Sequence, residues 1–307
     1  MTERWAELDA AATLRRPGPG DDKYRRGVLG VRTGAAHYPG AAVLGVSAAW
    51  RTGVGMLRYV PPVDDAAPPF GLPTPAAAVL AVRPETVLGP STGRPCDAWV
   101  VGSGTDAATR SAAELRDLRA LLAGDAPIVI DAGALDLVAA GDGRTAPVVL
   151  TPHAGEFERL WRSARLGDLP DDWDAHGTEP APRARAAARL AEALDATVLL
   201  KGSVTVCASA AGWSRLVGPA TPWLATAGTG DVLAGLLGAL VAGRAAELRD
   251  EPELLGRLGA TAALLHDHAA RCASGDAEAD GSGRPIAAAD VAAAIPRAFA
   301  DLAAQRS

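Results

Sequence analysis

Thr226-Ala-Gly-Thr-Gly-Asp231 is the stretch whose residue types most plainly suit chemistry. Two glycines flank Thr229, so backbone N–H groups can crowd round a small anion. The apolar run Val232 to Ala242 follows and reads as a helix, whose N-terminus adds partial positive charge. Asp231 is the oddity in such a nest. A carboxylate there either caps the helix or serves as a base, taking a proton from a hydroxyl while the nest holds the charge that builds on a transferred phosphoryl group. The second role is what an ATP- or ADP-dependent enzyme would need. No Gly-Lys-Ser or Gly-Lys-Thr occurs, which disfavours the P-loop class.

Other polar groups sit just after short apolar runs. Lys201-Gly-Ser-Val-Thr205 follows Val198-Leu-Leu200, and Lys201 is one of only two lysines in an Arg-rich chain. A compact ammonium kept in that composition suits a phosphate contact, although a strand-end Lys can also simply reach solvent. His153 and Glu156 follow Val148-Val-Leu150. They read either as helix capping and dipole complementarity or as a substrate contact (His153) and a Mg²⁺ site through water (Glu156). Gly102-Ser-Gly-Thr-Asp106 and Asp131 close the set. His266 and His268 lie two apart on a helix-like stretch and face different ways, so a zinc site is not expected.

The elements that must carry these groups alternate. Val28 to Arg32, Met56 to Val60, Trp99 to Val101, Ile128 to Ile130, Val148 to Leu150 and Val198 to Leu200 are short apolar runs, as for strands buried on both faces. Helix-like stretches follow most of them, among them Gly40 to Arg51 and Ala107 to Leu122. Such alternation implies a mostly parallel sheet with helices on both faces, and ligands then bind beyond the carboxyl ends of the strands. The Arg-rich stretch Arg183 to Arg189 reads as the solvent face of a helix, and Leu166 to Pro182, acidic with Pro, Gly and Trp, as a surface insertion. Residues 1–22 read as an N-terminal tail or short capping helix, ahead of one α/β domain.

Bulk properties exclude several classes. Hydrophobic residues make up 49% of the 307 and charged residues 21%, which suits a large core, while aromatics at 4% leave that core to Ala, Val and Leu. Net charge is −6 with scattered basic residues, so no nucleic-acid partner is expected. Cys96, Cys207 and Cys272 show neither metal spacing nor a disulfide framework, and the charged N-terminus has no apolar signal core, so a cytoplasmic setting is expected. Val232 to Ala242 is too short to span a bilayer, and no membrane association is expected.

With those residues in place, the chain resembles the ADP/ATP-dependent NAD(P)H-hydrate dehydratases of the ribokinase-like superfamily, from about Lys23 to Ala303. The elements run in family order. Lys23 to Gly34 resembles the opening segment. Tyr38-Pro-Gly-Ala-Ala42 and Trp50 to Gly55 are similar to Pro-Gly-Ala-Ala and Arg-Ser-Gly-Ala-Gly, and Val101-Gly-Ser-Gly104 to the glycine turn. Asp131-Ala-Gly-Ala-Leu135 resembles Asp-Ala-Asp-Ala-Leu, and Thr151-Pro-His-Ala-Gly-Glu156 resembles Thr-Pro-His-Pro-Gly-Glu, followed by the Lys201 and Thr226 segments.

The resemblance implies a ribokinase-like catalytic domain over 23–307. It implies a repair reaction in which the hydroxyl at C6 of hydrated NADH or NADPH is phosphorylated by ADP or ATP and phosphate then leaves, restoring the double bond. It places Ala42, Gly104, His153 and Asp231 on the hydrate, with Asp231 catalytic. Lys201, Gly202, Ser203, Val204, Thr205, Thr229 and Gly230 would hold the nucleotide, and Glu156 would sit near Mg²⁺. It also implies a homo-oligomer, expected as a tetramer, and admits a separate NAD(P)H-hydrate epimerase as partner, since 22 N-terminal residues cannot hold that domain. Gly133, Ala154, Ala227 and Thr229 depart from the family pattern. The alternatives are a small-molecule kinase of the same superfamily, acting on a vitamin precursor or sugar hydroxyl, and a nucleotide-binding regulator without catalysis. His153 speaks against the first and Asp231 against the second.

Overall fold

A computed structural model describes residues 2–63, 68–90, 94–139, 143–175 and 179–305. The chain begins with α1 (Glu7–Thr13), β1 (Val28–Arg32), α2 (Pro39–Thr52), β2 (Met56–Tyr59), α3 (Pro75–Val82), β3 (Val87–Leu88) and β4 (Ala98–Val101). It continues with α4 (Ala112–Leu122), β5 (Ile128–Ile130), β6 (Val148–Leu150), α5 (Ala154–Ser163), α6 (Pro180–Leu194) and β7 (Thr197–Leu200). β8 (Thr205–Ala208), β9 (Ser214–Val217), α7 (Thr229–Arg244), α8 (Leu254–Ser274) and α9 (Ala288–Ala304) complete it.

The strands form one nine-stranded sheet in the order β3-β2-β1-β4-β5-β6-β7-β8-β9. Every pairing from β3 to β7 is parallel, whereas β7–β8 and β8–β9 are antiparallel. The parallel expectation therefore holds up to β7. Beyond it a hairpin edge replaces the crossover helix, because Gly202-Ser-Val204 turns the chain straight back.

Side-chain alternation along the strands divides the core in two. Leu29, Val31, Val100, Val129, Val149 and Leu199 pack with α2, α7, α8 and α9. Val101, Ile128, Ile130, Val148, Leu150 and Leu200 pack on the opposite face with α4, α5 and α6. Both faces are covered, so these strands read as apolar runs rather than as alternating ones.

α7 explains the apolar stretch after Asp231. Every residue from Val232 to Ala242 is buried, because the helix lies between the sheet, α2 and α8. Its approach to α2 is backbone-close. A Cβ on Gly235 would lie 2.0 Å from the Gly45 carbonyl oxygen, so the last glycine of the motif serves helix packing. Among the described residues no helix is long and apolar enough to cross a membrane.

One detail differs from the sequence reading, and two segments gain definition. The helix expected over Ala107–Leu122 starts at Ala112, after a short 3₁₀ turn at Ala107–Thr109, because the Ser111 hydroxyl accepts from Glu114 N and caps it there. Residues 1–22 contain α1, which packs on α8 and α9, with Trp5 and Leu14 buried. The 166–182 segment is tied down where described: Trp173 stacks on Phe157 at 4.9 Å, and residues 176–178 lie outside the described residues.

Candidate functional site

β5 delivers the hub of the site. Asp131, the first residue past that strand, is 3% exposed. It accepts from the Ser103 hydroxyl past β4 at 2.9 Å and from the Thr151 hydroxyl past β6 at 2.8 Å. Lys201, past β7, donates to its Oδ1 at 2.9 Å. Four neighbouring strand ends thus meet on one carboxylate, where the topology predicts a ligand. Lys201 Nζ also lies 3.9 Å from Glu156 Oε2. Burial works against the Lys201 charge, but Asp131 and Glu156 outweigh it and hold the ammonium more firmly protonated than usual. Asp131 stood in the strand-end pattern without a role, since its being a hub depends on three partners far apart in sequence.

The nest faces this hub. Gly228, at φ +88°, makes the left-handed turn that enters α7, so Ala227 stays outside that region and does not suffer the strain its replacement of Gly would suggest. The first backbone bond into α7 is from Val232 N to Gly228 O, leaving the N–H groups of Thr229, Gly230 and Asp231 at the open helix end. Thr229 Oγ1 donates to Leu224 O at 2.9 Å and Thr226 O at 3.0 Å. Its hydroxyl hydrogen therefore folds the loop, and Thr229 can donate to a ligand only through its backbone N–H. Asp231 is mostly buried in the first turn of α7. Burial pushes its carboxyl up to about 6; the negative charge of Asp131 adds to this and Lys201 opposes it. A carboxyl poised near 6 is ionised at neutral pH and still basic enough to take a proton.

His153 and Glu156 form the N-terminal cap of α5. His153 Nδ1 accepts from Gly155 N at 3.1 Å, and Glu156 Oε2 accepts from His153 N at 2.8 Å. The capping reading is thus realised. It leaves the His153 ring more than half exposed and Glu156 Oε1 outside these bonds. Ala154 stands at the first helical position, where Pro and Ala are both accommodated, which explains that departure. Among the described residues no group of three or more His, Cys, Asp or Glu could hold a metal ion. A cation here would rest on few carboxylates plus ligand oxygens, the pattern suited to Mg²⁺.

A cavity of about 490 Å³ opens beside the nest. Lys201, Gly202, Ser203, Thr205, Thr229 and Gly230 line one side, and Leu224, Leu233 and Ala263 contribute apolar wall. Six of the seven residues assigned to the nucleotide come together there. Val204 instead packs against the core under α6. Arg183 is a correction. It is 4% exposed rather than on a solvent face, and donates to Lys201 O at 2.9 Å and Ala175 O at 3.1 Å. It shares the buried stripe of α6 with Ala187, Leu190 and Leu194, a helical spacing that could have revealed it.

The β1–α2 loop meets the turn past β4, with Gly104 close against Gly34, Tyr38 and Ala41. Gly34 and Gly104 have φ of +77° and +66°, and a Cβ on Gly104 would meet Ala41 Cβ at 2.3 Å. Ala42 is completely buried and abuts Gly34, so it can act on a ligand only through Gly34. Gly133 explains the missing second Asp: a Cβ there would sit 2.1 Å from Thr105 O.

A family model described as NAD(P)H-hydrate dehydratase matches residues 29–294. The chain is 45% identical over 246 residues to the bifunctional NAD(P)H-hydrate repair enzyme Nnr of Mycobacterium tuberculosis, covering 76% of this chain and 45% of that protein. It is 36% identical over 254 residues to the ADP-dependent (S)-NAD(P)H-hydrate dehydratase of Xanthomonas campestris, covering 79% of this chain and 82% of that protein. The chain spans about half the length of the bifunctional relatives it matches. In solved structures, the ADP/ATP-dependent NAD(P)H-hydrate dehydratase of Bacillus subtilis, co-crystallised with ATP/Mg²⁺, superposes with a TM-score of 0.75 at 24% identity, covering 98% of this chain and 99% of that one. The shared architecture is the ribokinase-like sheet expected from the sequence.

Proposed function

The chain belongs to the NAD(P)H-hydrate dehydratase family, and on that premise we propose that it dehydrates the 6-hydroxy hydrate of NADH or NADPH with ADP or ATP as phosphoryl donor. The observation that carries the proposal is Asp231, a carboxyl pushed to about 6 at the open N-terminus of α7 beside the Lys201–Asp131 pair. The nucleotide lies in the cavity between the Lys201–Thr205 turn and Gly230, its phosphates on the nest. Asp231 takes the proton of the C6 hydroxyl as its oxygen bonds to the terminal phosphorus and the bond to the leaving nucleotide breaks. Phosphate then departs with its C–O bond and a ring proton is lost, so the C=C bond returns. Lys201 and the α7 N–H groups offset the charge that builds on the moving phosphoryl group.

Glu156 fits Mg²⁺ through water, with Oε1 outside its capping bonds. When bound, the ion would neutralise phosphate charge. His153 and Gly104 face the hydrate, while Ala42 acts through Gly34. Residues 23–307 form the catalytic unit, and the setting is the cytoplasm. A homo-oligomer, expected as a tetramer, has support in exposed apolar side chains: Phe70 is 100% exposed, and the edge strand β3 shows Val87 and Leu88. Relatives about twice as long and named bifunctional support a second activity acting beside this one, which we take to be an NAD(P)H-hydrate epimerase.

The test supplies purified protein with NADH hydrate, Mg²⁺ and either ADP or ATP. Return of dihydronicotinamide absorbance with one nucleotide, lost in Asp231→Asn, is expected. No return with either nucleotide, while a control dehydratase works on the same hydrate, contradicts the proposal. Nucleotide turnover on a vitamin precursor or sugar hydroxyl instead would identify a kinase.

A further inference from the structure

Five buried side-chain nitrogen or oxygen atoms among the described residues have no hydrogen-bond partner: Thr33 Oγ1, Arg58 Nε, Ser209 Oγ, Arg244 Nε and His266 Nε2. Only His266 lines the cavity assigned to the nucleotide. It projects from α8 and is 7% exposed. An unpaired nitrogen in such a place is destabilising unless something binds to it.

The ring's state follows from its surroundings. Burial drives the pKa of His266 down to about 4, with the Thr229 backbone opposing it, so the ring is neutral. A neutral imidazole carries one N–H and one acceptor nitrogen. With the N–H assigned to Nδ1, the orphaned Nε2 is an acceptor in need of a donor. No neighbour among the described residues provides one. The Thr229 hydroxyl is engaged by Leu224 O and Thr226 O, and the Thr221 hydroxyl by Asp276 at 2.5 Å. The walls around it, Pro222, Leu224, Leu233 and Ala263, are apolar and suit a flat base rather than a phosphate or sugar.

We infer that His266 Nε2 accepts a hydrogen bond from the 6-amino group of a bound adenine and thereby selects adenine over 6-oxo purines. Adenine presents only acceptors at its ring nitrogens not joined to the sugar, so its amino group is the donor that complements this acceptor. A 6-oxo purine would place a second acceptor there and leave both unpaired. The inference rests on the proposed nucleotide site.

The test is calorimetric titration of the full chain, with Mg²⁺, against ADP, IDP, purine-riboside diphosphate and 2′-deoxy-ADP. ADP should bind the unaltered chain about tenfold or more tighter than IDP or the purine-riboside diphosphate, the effect of one lost bond and one buried unpaired acceptor. His266→Phe fills the space without an acceptor and should bring the three close to equal affinity, while His266→Gln, whose amide oxygen accepts, should keep part of the preference. A merely structural histidine would lower stability and leave the ratio unmoved. Equal binding of ADP and IDP by the unaltered chain overturns the inference, as does a preference that survives in cooperatively folded His266→Phe. So does a loss on 2′-deoxy-ADP that vanishes in that variant, which would assign Nε2 to the ribose. Should the Phe variant fail to fold, the unaltered chain and His266→Gln decide. Binding of none of the four would overturn the nucleotide site itself, a result distinct from binding without discrimination.

Discussion

At the scale of single residues, the roles proposed for Asp231 and Lys201 each leave a signature. Asp231→Asn should cut turnover by roughly 10²–10⁴ while leaving nucleotide affinity nearly intact, as for a lost general base. Equal losses in both would mark it as a cap. With its carboxyl raised to about 6, activity should fall as pH drops through that value. The same shift has a stability sign. A carboxyl raised in the folded state favours folding below its unfolded pKa, and that contribution is lost as pH rises through about 6. Asp231→Asn should therefore raise the melting temperature at pH 8 and change it little near pH 4, and a lower melting temperature at pH 8 would count against burial as the cause. Lys201→Ala leaves Asp131 buried without its cation and should cost about 3 kcal/mol in denaturant unfolding, besides weakening nucleotide binding. Asp131→Asn in that background should recover part of the loss; unchanged stability in Lys201→Ala would remove the pair from the framework. The nest and Asp231 were legible in sequence because glycines and an acid are adjacent there. Asp131 as hub was not, since Ser103, Thr151 and Lys201 reach it only through the sheet.

Elements hold these residues within reach through a few close approaches. α7 meets α2 where Gly235 faces the Gly45 carbonyl, so Gly235→Ala should cost about 3 kcal/mol or more and loosen both walls of the site at once. A melting curve coincident with that of the unaltered chain would contradict this crossing. Gly133→Asp would restore the family's usual acid, yet its Cβ would press on Thr105 O, so it should destabilise the chain without adding activity. The central strands could be read from sequence because they are buried on both faces, which makes each a short apolar run. β3, two exposed residues on the sheet edge, carries no such pattern. Arg183 was misread because its charge suggested solvent, whereas its spacing to Ala187, Leu190 and Leu194 places it on the buried stripe, under the Lys201 carbonyl.

At the scale of the whole molecule, the ends of β4 to β7 bring Ser103, Asp131, Thr151 and Lys201 to one edge of the sheet. In the proposed function the β1–α2 loop and Gly104 face the hydrate, the Lys201–Thr205 turn and the cavity beside α8 take the nucleotide, and Asp231 acts at the head of α7. Assembly should follow from the apolar surface of Phe70, α3 and β3. Phe70→Asp should lower the oligomeric mass in sedimentation, and an unchanged mass would move the interface elsewhere. The most direct test of the whole account measures dihydronicotinamide absorbance and inorganic phosphate together, as the chain acts on NADH hydrate with Mg²⁺ and ADP or ATP. The account predicts equal molar release of phosphate and NADH. Nucleotide consumption with phosphate retained on the acceptor, and no NADH formed, would contradict it.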